Sequence, residues 1–335
     1  MSAPGACILG VEGTRLTAQE RAFFQAARPF GFILFARNIN HPDQVRALCD
    51  EVRDATGQPA PILIDQEGGR VQRLRGPVWR EWLPPLEQVM LAEARAEEAM
   101  YARYRIIAHE LAELGVDANC APLVDLAGPD THPFLKSRCY GDNPSQVGAI
   151  GRAVAEGLAD GGVLPVVKHV PGHGRATVDS HHTLPVVEIA ADTLMSSDFA
   201  PFRELADLPM AMTAHIVFSA LDNRPSTLSP VVIEFIRTEL GLDGLLMTDD
   251  ISMQALEGDV GDLSRQSLEA GCDLVLHCNG DLEEMRKVAY HCGVLEGEAL
   301  RRADAVHAAR RPAREVDIPA LEAKLAELLS VTMND

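Results

Sequence analysis

The stretch VLPVVKHVPGHGRATVDSHH, residues 163–182, joins an apolar run to a loop that is dense in ionisable side chains. The first five residues are apolar, which is typical of a strand covered on both faces. The following fifteen include four histidines, a lysine, an arginine and an aspartate behind a Pro-Gly turn. Loops that follow buried strands usually hold the reactive groups of α/β proteins. We therefore predict an active site here, with Asp179 and His181 as a proton-transfer pair.

Short apolar runs of the same kind recur along the whole chain and alternate with helical patterns. The predicted strands are residues 6–11, 31–35, 60–64, 117–121, 163–167, 209–213, 244–247 and 272–276. A capping-box spacing, Thr17 to Glu20, opens the first helix. The later helical patterns cover residues 42–56, 85–114, 145–160, 191–205, 230–240, 263–270, 281–292, 295–311 and 319–329.

Eight strands with intervening helices predict an α/β fold, a single (β/α)8 TIM-type barrel in which some helices are irregular or missing. We expect one catalytic domain over residues 1–335, with a helical tail from about residue 312. A doubly wound sheet is the alternative. That fold usually has a Gly-rich phosphate loop after its first strand, and Gly10-Val-Glu-Gly13 does not match the pattern.

Composition and charge limit the classes of partner. The 335 residues are 47% hydrophobic and 24% charged, with a net charge of −19, so we expect neither nucleic acid nor membrane as a partner. The N-terminus has no signal-peptide pattern and no apolar run reaches membrane-spanning length. Seven cysteines, an odd number, suggest free thiols in a reducing compartment. We expect a cytoplasmic monomer.

Polar residues follow six of the predicted strands, where each strand ends. They are Arg37 and Asn38, Asp65, Asp125, Lys168 and His169, His215, and Asp249 and Asp250. In a parallel barrel the carboxyl ends of all strands surround one mouth. Isolated ionisable groups in a core are costly, so the pattern predicts one polar cleft at that mouth.

Metal and serine chemistries fit the pattern poorly. His169 and His173 are separated by a Pro-Gly turn, so the helical i, i+4 geometry of zinc ligands is missing. No G-x-S-x-G motif occurs, and Ser180 has no nucleophile elbow. We expect no metal and no cofactor.

Carboxylate chemistry fits better. Asp249 ends a buried strand that would hold it rigidly, as a nucleophile on an anomeric carbon requires. The proton donor could be a second carboxylate, or it could be His181 oriented by Asp179, because a hydrogen-bonded carboxylate fixes the imidazole tautomer and raises its pKa. The spacing also allows a plain alternative, in which Asp179 caps a turn and His181 is an exposed loop residue.

Four motifs together resemble family 3 glycoside hydrolases, and within them the bacterial β-N-acetylglucosaminidases. They are LIDQEGGRVQRL at 63–74, KSRCYGDNP at 136–144, KHVPGHG with DSH at 168–181, and TDDISM at 248–253. The resemblance implies a retaining exo-β-N-acetylglucosaminidase with a covalent glycosyl-enzyme intermediate. Its implied substrate is a muropeptide fragment of peptidoglycan recycling, N-acetylglucosamine linked to 1,6-anhydro-N-acetylmuramic acid.

The same resemblance implies residue roles. Asp249 corresponds to the nucleophile, His181 to the general acid/base, and Asp179 to the partner of His181. The residues implied to hold the terminal sugar are Asp65, Arg73, Arg138, Lys168 and His169. The roles of Glu67, Arg70, His173 and His215 are left open.

Three alternatives remain at this stage. A phosphorylase could use the same Asp–His pair, since a neutral histidine base repels phosphate less than a carboxylate does. A non-catalytic sugar-binding barrel would not need Asp249, Asp179 and His181 together. A substrate-assisted hexosaminidase would need a carboxylate pair on the N-acetyl group, which Asp249 and Asp250 could mimic.

Overall fold

The computed structural model describes residues 3–180 and 183–330 and shows a closed barrel of eight parallel strands. The strands in the described residues are β1 Gly5–Gly10, β2 Pro29–Leu34, β3 Ile62–Ile64, β4 Ala118–Asn119, β5 Leu164–Val170, β6 Val186–Val187, β7 Met210–Thr213, β8 Val217–Phe218, β9 Leu245–Asp250 and β10 Leu274–His277. The order around the barrel is β1-β10-β9-β7-β5-β4-β3-β2. The predicted TIM-type barrel is confirmed, and each of the eight predicted runs overlaps one of its strands.

The strands are apolar because both of their faces are covered. All residues of β1, β2 and β5 are buried, including Lys168 and His169 at the end of β5. One continuous apolar core therefore fills the barrel and the layer between strands and helices. This packing holds the strand ends, and the side chains on them, in fixed positions.

The helices surround the barrel. They are α1 Ala18–Ala27, α2 Pro42–Thr56, α3 Pro85–Ala92, α4 Ala96–Glu113, α5 Pro133–Lys136, α6 Pro144–Asp160, α7 Ala191–Ser196, α8 Ala200–Glu204, α9 Pro230–Thr238, α10 Val260–Ala270, α11 Leu282–Cys292, α12 Gly297–Ala309 and α13 Ile318–Leu329. The capping box at the start of α1 is present: Glu20 N donates to Thr17 Oγ1, and Thr17 N donates to the Glu20 carboxylate.

Two helices predicted as continuous are broken, and those predictions are wrong. The pattern 85–114 forms α3 and α4 around a 3₁₀ turn, where Glu93 has a φ of 51° that no helix accommodates. The pattern 191–205 forms α7 and α8, with Pro201 in the first turn of α8. Proline starts a helix readily but disrupts the interior of one, which explains the second break.

Long loops follow β3, β4 and β5 at the C-terminal mouth of the barrel, where a regular barrel would have short turns. They include the short helix α5 and, after β5, the strand β6, which pairs with β8 in a small separate sheet. Neither feature was predicted. These loops build one wall of the mouth and hold most of the predicted site residues.

The C-terminal helix and the cysteines complete the fold. Helix α13 packs on α4 and α3 and buries Leu325 and Leu328. All seven cysteines are buried and free. Within residues 3–180 and 183–330, no helix combines the length and the apolar character that a bilayer crossing requires.

Candidate active site

A pocket opens at the C-terminal mouth of the barrel, and its empty volume, counted together with the open mouth, is about 850 Å³. The predicted residues that line it are Asp65, Arg73, Arg138, Lys168, His169, Asp179 and Asp249. The structure therefore brings together every predicted site residue within its described part. His181 lies outside the described residues.

A chain of alternating charges runs across one side of the pocket. Asp65 accepts hydrogen bonds from Arg73 Nη2 at 2.9 Å and from Lys168 Nζ at 2.9 Å. Lys168 Nζ also lies 2.6 Å from Glu67 Oε1. Glu67 accepts two hydrogen bonds from Arg138, at 2.8 and 2.9 Å. Three cations and two carboxylates thus alternate in one network, which leaves it with a net positive charge.

Burial makes this network electrostatically strong. Lys168 is 2% exposed and the Glu67 side chain 1% exposed, so water screens their attraction little. Burial alone would raise the pKa of Glu67, but Arg138 and Lys168 outweigh it and lower that pKa to about 2. In the same way, Lys168 and Arg73 hold the pKa of Asp65 well below its usual range. Both carboxylates are ionised at neutral pH.

Glu67 is the functional residue that sequence reasoning left open. It follows Asp65 by two positions, and i, i+2 side chains in an extended segment lie on the same side. That spacing was the available signal. The long-range partners could not be read from sequence, because Arg138 belongs to another loop. Buried Arg103 of α4 fixes the Glu67 segment through hydrogen bonds to Glu67 O and Leu83 O.

Asp125, after β4, joins two histidines of the pocket wall. Its carboxylate lies 2.7 Å from His169 Nδ1 and accepts a 2.6 Å hydrogen bond from His173 N. Burial would raise the pKa of Asp125, but His169 and His173 lower it below its usual range. The carboxylate thus fixes the orientation of the His169 ring, whose Nε2 remains for other contacts. Asp125 was predicted at the mouth but without this role.

Asp249 ends β9 on the opposite side of the pocket. Its Oδ1 accepts a 2.8 Å hydrogen bond from Asp250 N. Burial would raise the pKa of Asp249, but His169, His215 and the Asp250 N–H together lower it. The carboxylate is therefore ionised and oriented in a pocket that is otherwise rich in cations.

Asp250 and His215 hold this strand end. Asp250 Oδ1 accepts hydrogen bonds from Ser252 N, Ser252 Oγ and Cys278 N at 2.9–3.2 Å. His215 Nε2 donates to Asp250 O at 3.0 Å, so its Nδ1 must accept from the Thr227 hydroxyl at 2.7 Å. Burial lowers the pKa of His215, which keeps the ring neutral. Both side chains have satisfied structural partners.

The wall around Asp179 is made by α5 and the loop after β5. Phe134 and His132 line the pocket beside Val178, Asp179 and Ser180. His132 N donates to Ala176 O at 3.0 Å, which ties the α5 turn to this loop. Within residues 3–180 and 183–330, no group of three or more His, Cys, Asp or Glu side chains could hold a metal ion.

The burial of His173 leads us to expect a specific pH dependence of the free energy of unfolding. Burial, helped by nearby His169, lowers its pKa from 6.5 to about 4. A lowered histidine pKa stabilises the folded state above pH 6.5, and this contribution is lost as the pH falls towards 4. We expect His173→Gln to reduce the drop in unfolding free energy between pH 7 and pH 4.5 by about 2–3 kcal/mol.

Urea unfolding at both pH values measures this difference. His109→Gln, on the outer surface of α4, is the matched control and should leave the drop unchanged. Equal pH profiles for wild type and His173→Gln would contradict the neutral, buried state of His173.

The sequence of this chain is similar to those of known glycoside hydrolases. The model of the glycosyl hydrolase family 3 N-terminal domain matches residues 9–311. A beta-hexosaminidase of Alkalilimnicola ehrlichii is 39% identical over 282 residues, which cover 82% of this chain and 81% of that protein. A beta-hexosaminidase of Bordetella avium is 35% identical over 294 residues, with coverages of 82% and 81%.

Solved structures show the same similarity. NagZ from Neisseria gonorrhoeae, in complex with N-trifluoroacetyl-D-glucosamine, superposes with a TM-score of 0.85 at 28% identity and covers 98% of this chain and 99% of that one. A family 3 β-N-acetylglucosaminidase from Paenibacillus gives a TM-score of 0.84 at 30% identity, over 96% of this chain and 67% of that one.

Proposed function

Since this chain belongs to glycosyl hydrolase family 3 and is a glycoside hydrolase, we propose that it is a retaining exo-β-N-acetylglucosaminidase formed by one catalytic domain over residues 1–335. One observation carries the proposal: an ionised Asp249 shares a pocket with the charge network of Asp65, Lys168 and Glu67. A retaining glycosidase needs such a carboxylate nucleophile beside groups that hold the sugar hydroxyls.

In the first step, a carboxylate oxygen of Asp249 attacks the anomeric carbon of the bound sugar. The glycosidic bond breaks as protonated His181 donates its proton to the leaving oxygen, so the leaving group departs as a neutral alcohol. Asp179 keeps the imidazole oriented and favours its protonated form. The product of this step is a covalent glycosyl ester on Asp249.

In the second step, neutral His181 accepts a proton from water while the water oxygen attacks the same carbon. The bond to Asp249 breaks and its carboxylate returns, so two inversions leave the β configuration unchanged. Gly172 has a φ of 149°, and Gly174 lies so close to Leu126 O that no side chain would fit, so both glycines shape the loop that leads to His181. The acceptor in this proposal is water, as in the hydrolases that the chain resembles.

The terminal N-acetylglucosamine would be held by Asp65, Arg73, Arg138, Lys168 and His169. Carboxylate acceptors alternate with cationic donors along this side, and a pyranose ring presents hydroxyls that both donate and accept. Glu67 and Asp125 position these groups rather than contact sugar.

We propose a muropeptide fragment, N-acetylglucosamine linked to 1,6-anhydro-N-acetylmuramic acid, as the natural substrate in cytoplasmic peptidoglycan recycling. The similarity to NagZ, whose structure holds N-trifluoroacetyl-D-glucosamine, supports the N-acetylglucosamine part of this assignment.

The test of the acid/base assignment uses leaving groups of different basicity. We expect His181→Ala to lower kcat/KM by about 10²–10⁴-fold on a disaccharide, whose alkoxide needs a proton. The loss on a dinitrophenyl glycoside should be less than about tenfold, because that anion leaves unaided. Asp179→Asn should follow the same pattern with smaller losses.

His182→Ala is the matched control, since the adjacent histidine lies outside the motif, and it should behave as wild type. Equal losses of His181→Ala on both substrates would refute its role as the acid. Retained disaccharide hydrolysis in that variant would assign the proton donor to another group.

A further inference from the structure

Two phenylalanine rings at the pocket mouth each contact two guanidinium groups. Phe35 has Arg37 at 5.0 Å and Arg73 at 4.9 Å from its centroid. Phe134 has Arg138 at 5.2 Å and Arg70 at 3.9 Å. Three of the four guanidinium groups also donate hydrogen bonds to protein oxygens. Arg73 donates to Asp65, Arg138 donates to Glu67, and Arg37 donates to the backbone oxygens of Val11 and Cys278.

Arg70 differs from the other three. It is exposed, and within residues 3–180 and 183–330 its guanidinium has no hydrogen bond or ion pair. Stacking on Phe134 at 3.9 Å orients the planar group and leaves its N–H edges available. A guanidinium held flat with open edges matches the two oxygens of a carboxylate.

Arg70 lies close to the part of the pocket that we expect the leaving group, rather than the terminal sugar, to occupy. Its ring partner Phe134 belongs to α5, which is tied to the proton-donor loop by the bond from His132 N to Ala176 O. The proton donor must lie beside the glycosidic oxygen, so the leaving group passes this wall. Arg138 is buried and lines the pocket, whereas Arg70 is exposed and contacts the same ring.

The net charge of the protein affects how an anionic substrate could be bound. With a net charge of −19, the protein repels anions at long range, so an anionic substrate needs local cations at the mouth. The lining cations Arg73, Lys168 and Arg138 are already paired with Asp65 and Glu67. Arg70 does not line the pocket itself but contacts Phe134, which does. An acidic leaving group would therefore find its partner at Arg70.

We infer that Arg70, stacked on Phe134, is a specificity-determining residue that binds a carboxylate on the leaving-group sugar. This inference rests on the proposed function and adds to it the site at which the acidic part of the substrate is recognised. Because the contact exists before and during bond cleavage, it lowers KM and leaves kcat nearly unchanged.

A matched pair of disaccharides tests the inference. Both carry N-acetylglucosamine on 1,6-anhydro-N-acetylmuramic acid, one with the free lactyl carboxylate and the other with its methylamide. The leaving alcohol is the same, so only the charge differs. We expect Arg70→Gln to lower kcat/KM about tenfold on the carboxylate through KM, and less than twofold on the amide.

The controls separate this contact from general charge effects. Arg286→Gln removes an exposed arginine of α11 and should change neither substrate by more than twofold. Arg70→Lys keeps the charge without the planar edges and should fall between wild type and Arg70→Gln. The preference of wild type for the carboxylate should shrink at high ionic strength.

Equal losses on both substrates, or no loss on either, would overturn the role of Arg70. If wild type cleaves the amide as well as the acid, the inference also fails, while the proposed function stands. If wild type cleaves neither disaccharide and no neutral aryl β-N-acetylglucosaminide, it is the proposed function that fails.

Discussion

Asp249→Ala should lower kcat/KM on an aryl β-N-acetylglucosaminide by about 10⁴-fold or more, the range seen when a group that acts in a catalytic unit is removed. The variant should still bind N-acetylglucosamine, because the network of Asp65, Lys168 and Glu67 does not depend on Asp249. Activity assays and ligand titration measure the two effects separately.

Azide distinguishes the nucleophile from the acid/base. In Asp249→Ala, azide can occupy the vacated space and attack the anomeric carbon once, which inverts the centre and yields the α-glycosyl azide. In His181→Ala, azide attacks the covalent intermediate, so two inversions yield the β-azide. The anomer identified by NMR thus assigns each role independently of the rate.

Two outcomes would contradict the assignment of Asp249. Activity of more than a few per cent in Asp249→Ala would show that the carboxylate is not the nucleophile. Substrate-assisted catalysis would leave no enzyme-bound sugar, so a 5-fluoro N-acetylglucosaminyl fluoride that fails to label the Asp249 peptide would favour that mechanism. An adduct on Asp249 would exclude it.

The sequence predicted the barrel well because each strand is covered on both faces. Short, continuous apolar runs such as 163–167 are typical of strands in a parallel sheet. In a parallel barrel the carboxyl ends of these strands all lie at one mouth. That rule alone placed Asp65, Lys168 and Asp249 together. The roles of Asp249, Asp179 and His181 came from the family resemblance and remain proposals.

The pairings inside the site could not be predicted, because they join distant loops. Glu67 and Arg138 are 71 residues apart, and the Glu67 backbone is also bonded to Arg103 of α4, in a third part of the chain. The stacking of Arg70 on Phe134 likewise depends on where the short helix α5 lies. The break at Glu93 gave no local signal either, as neither glycine nor proline marks it.

Glu67→Gln should cause the largest loss of stability among single changes in the pocket. Removing one partner of a buried ion pair leaves an uncompensated charge and costs about 3–5 kcal/mol. Here Arg138 would lose its ion pair, Lys168 would keep only Asp65, and the new amide N–H₂ would face a cation. Urea unfolding at pH 7 measures the loss.

The variant should also change two pH profiles that a merely structural defect would not move. Wild type loses the contribution of Glu67 to stability as the pH falls from about 4.5 to about 2, since its pKa is lowered in the folded state. Glu67→Gln lacks that decline. Burial lowers the pKa of Lys168, but Asp65 and Glu67 outweigh it and raise that pKa, so the variant should lose its binding of N-acetylglucosamine at a less alkaline pH than wild type. Ligand titration measures this limit, because the alkaline limit of activity already reflects the proton on His181.

Glu110→Gln is the matched control for this prediction. Glu110 is also a buried glutamate in an ion pair, but its partner is Arg80 rather than Lys168. Its replacement should cost stability and leave the alkaline limit of binding where it is. If Glu67→Gln lost stability with an unchanged alkaline limit, Glu67 would brace the fold without controlling the charge of Lys168, and the network would not act as one electrostatic unit.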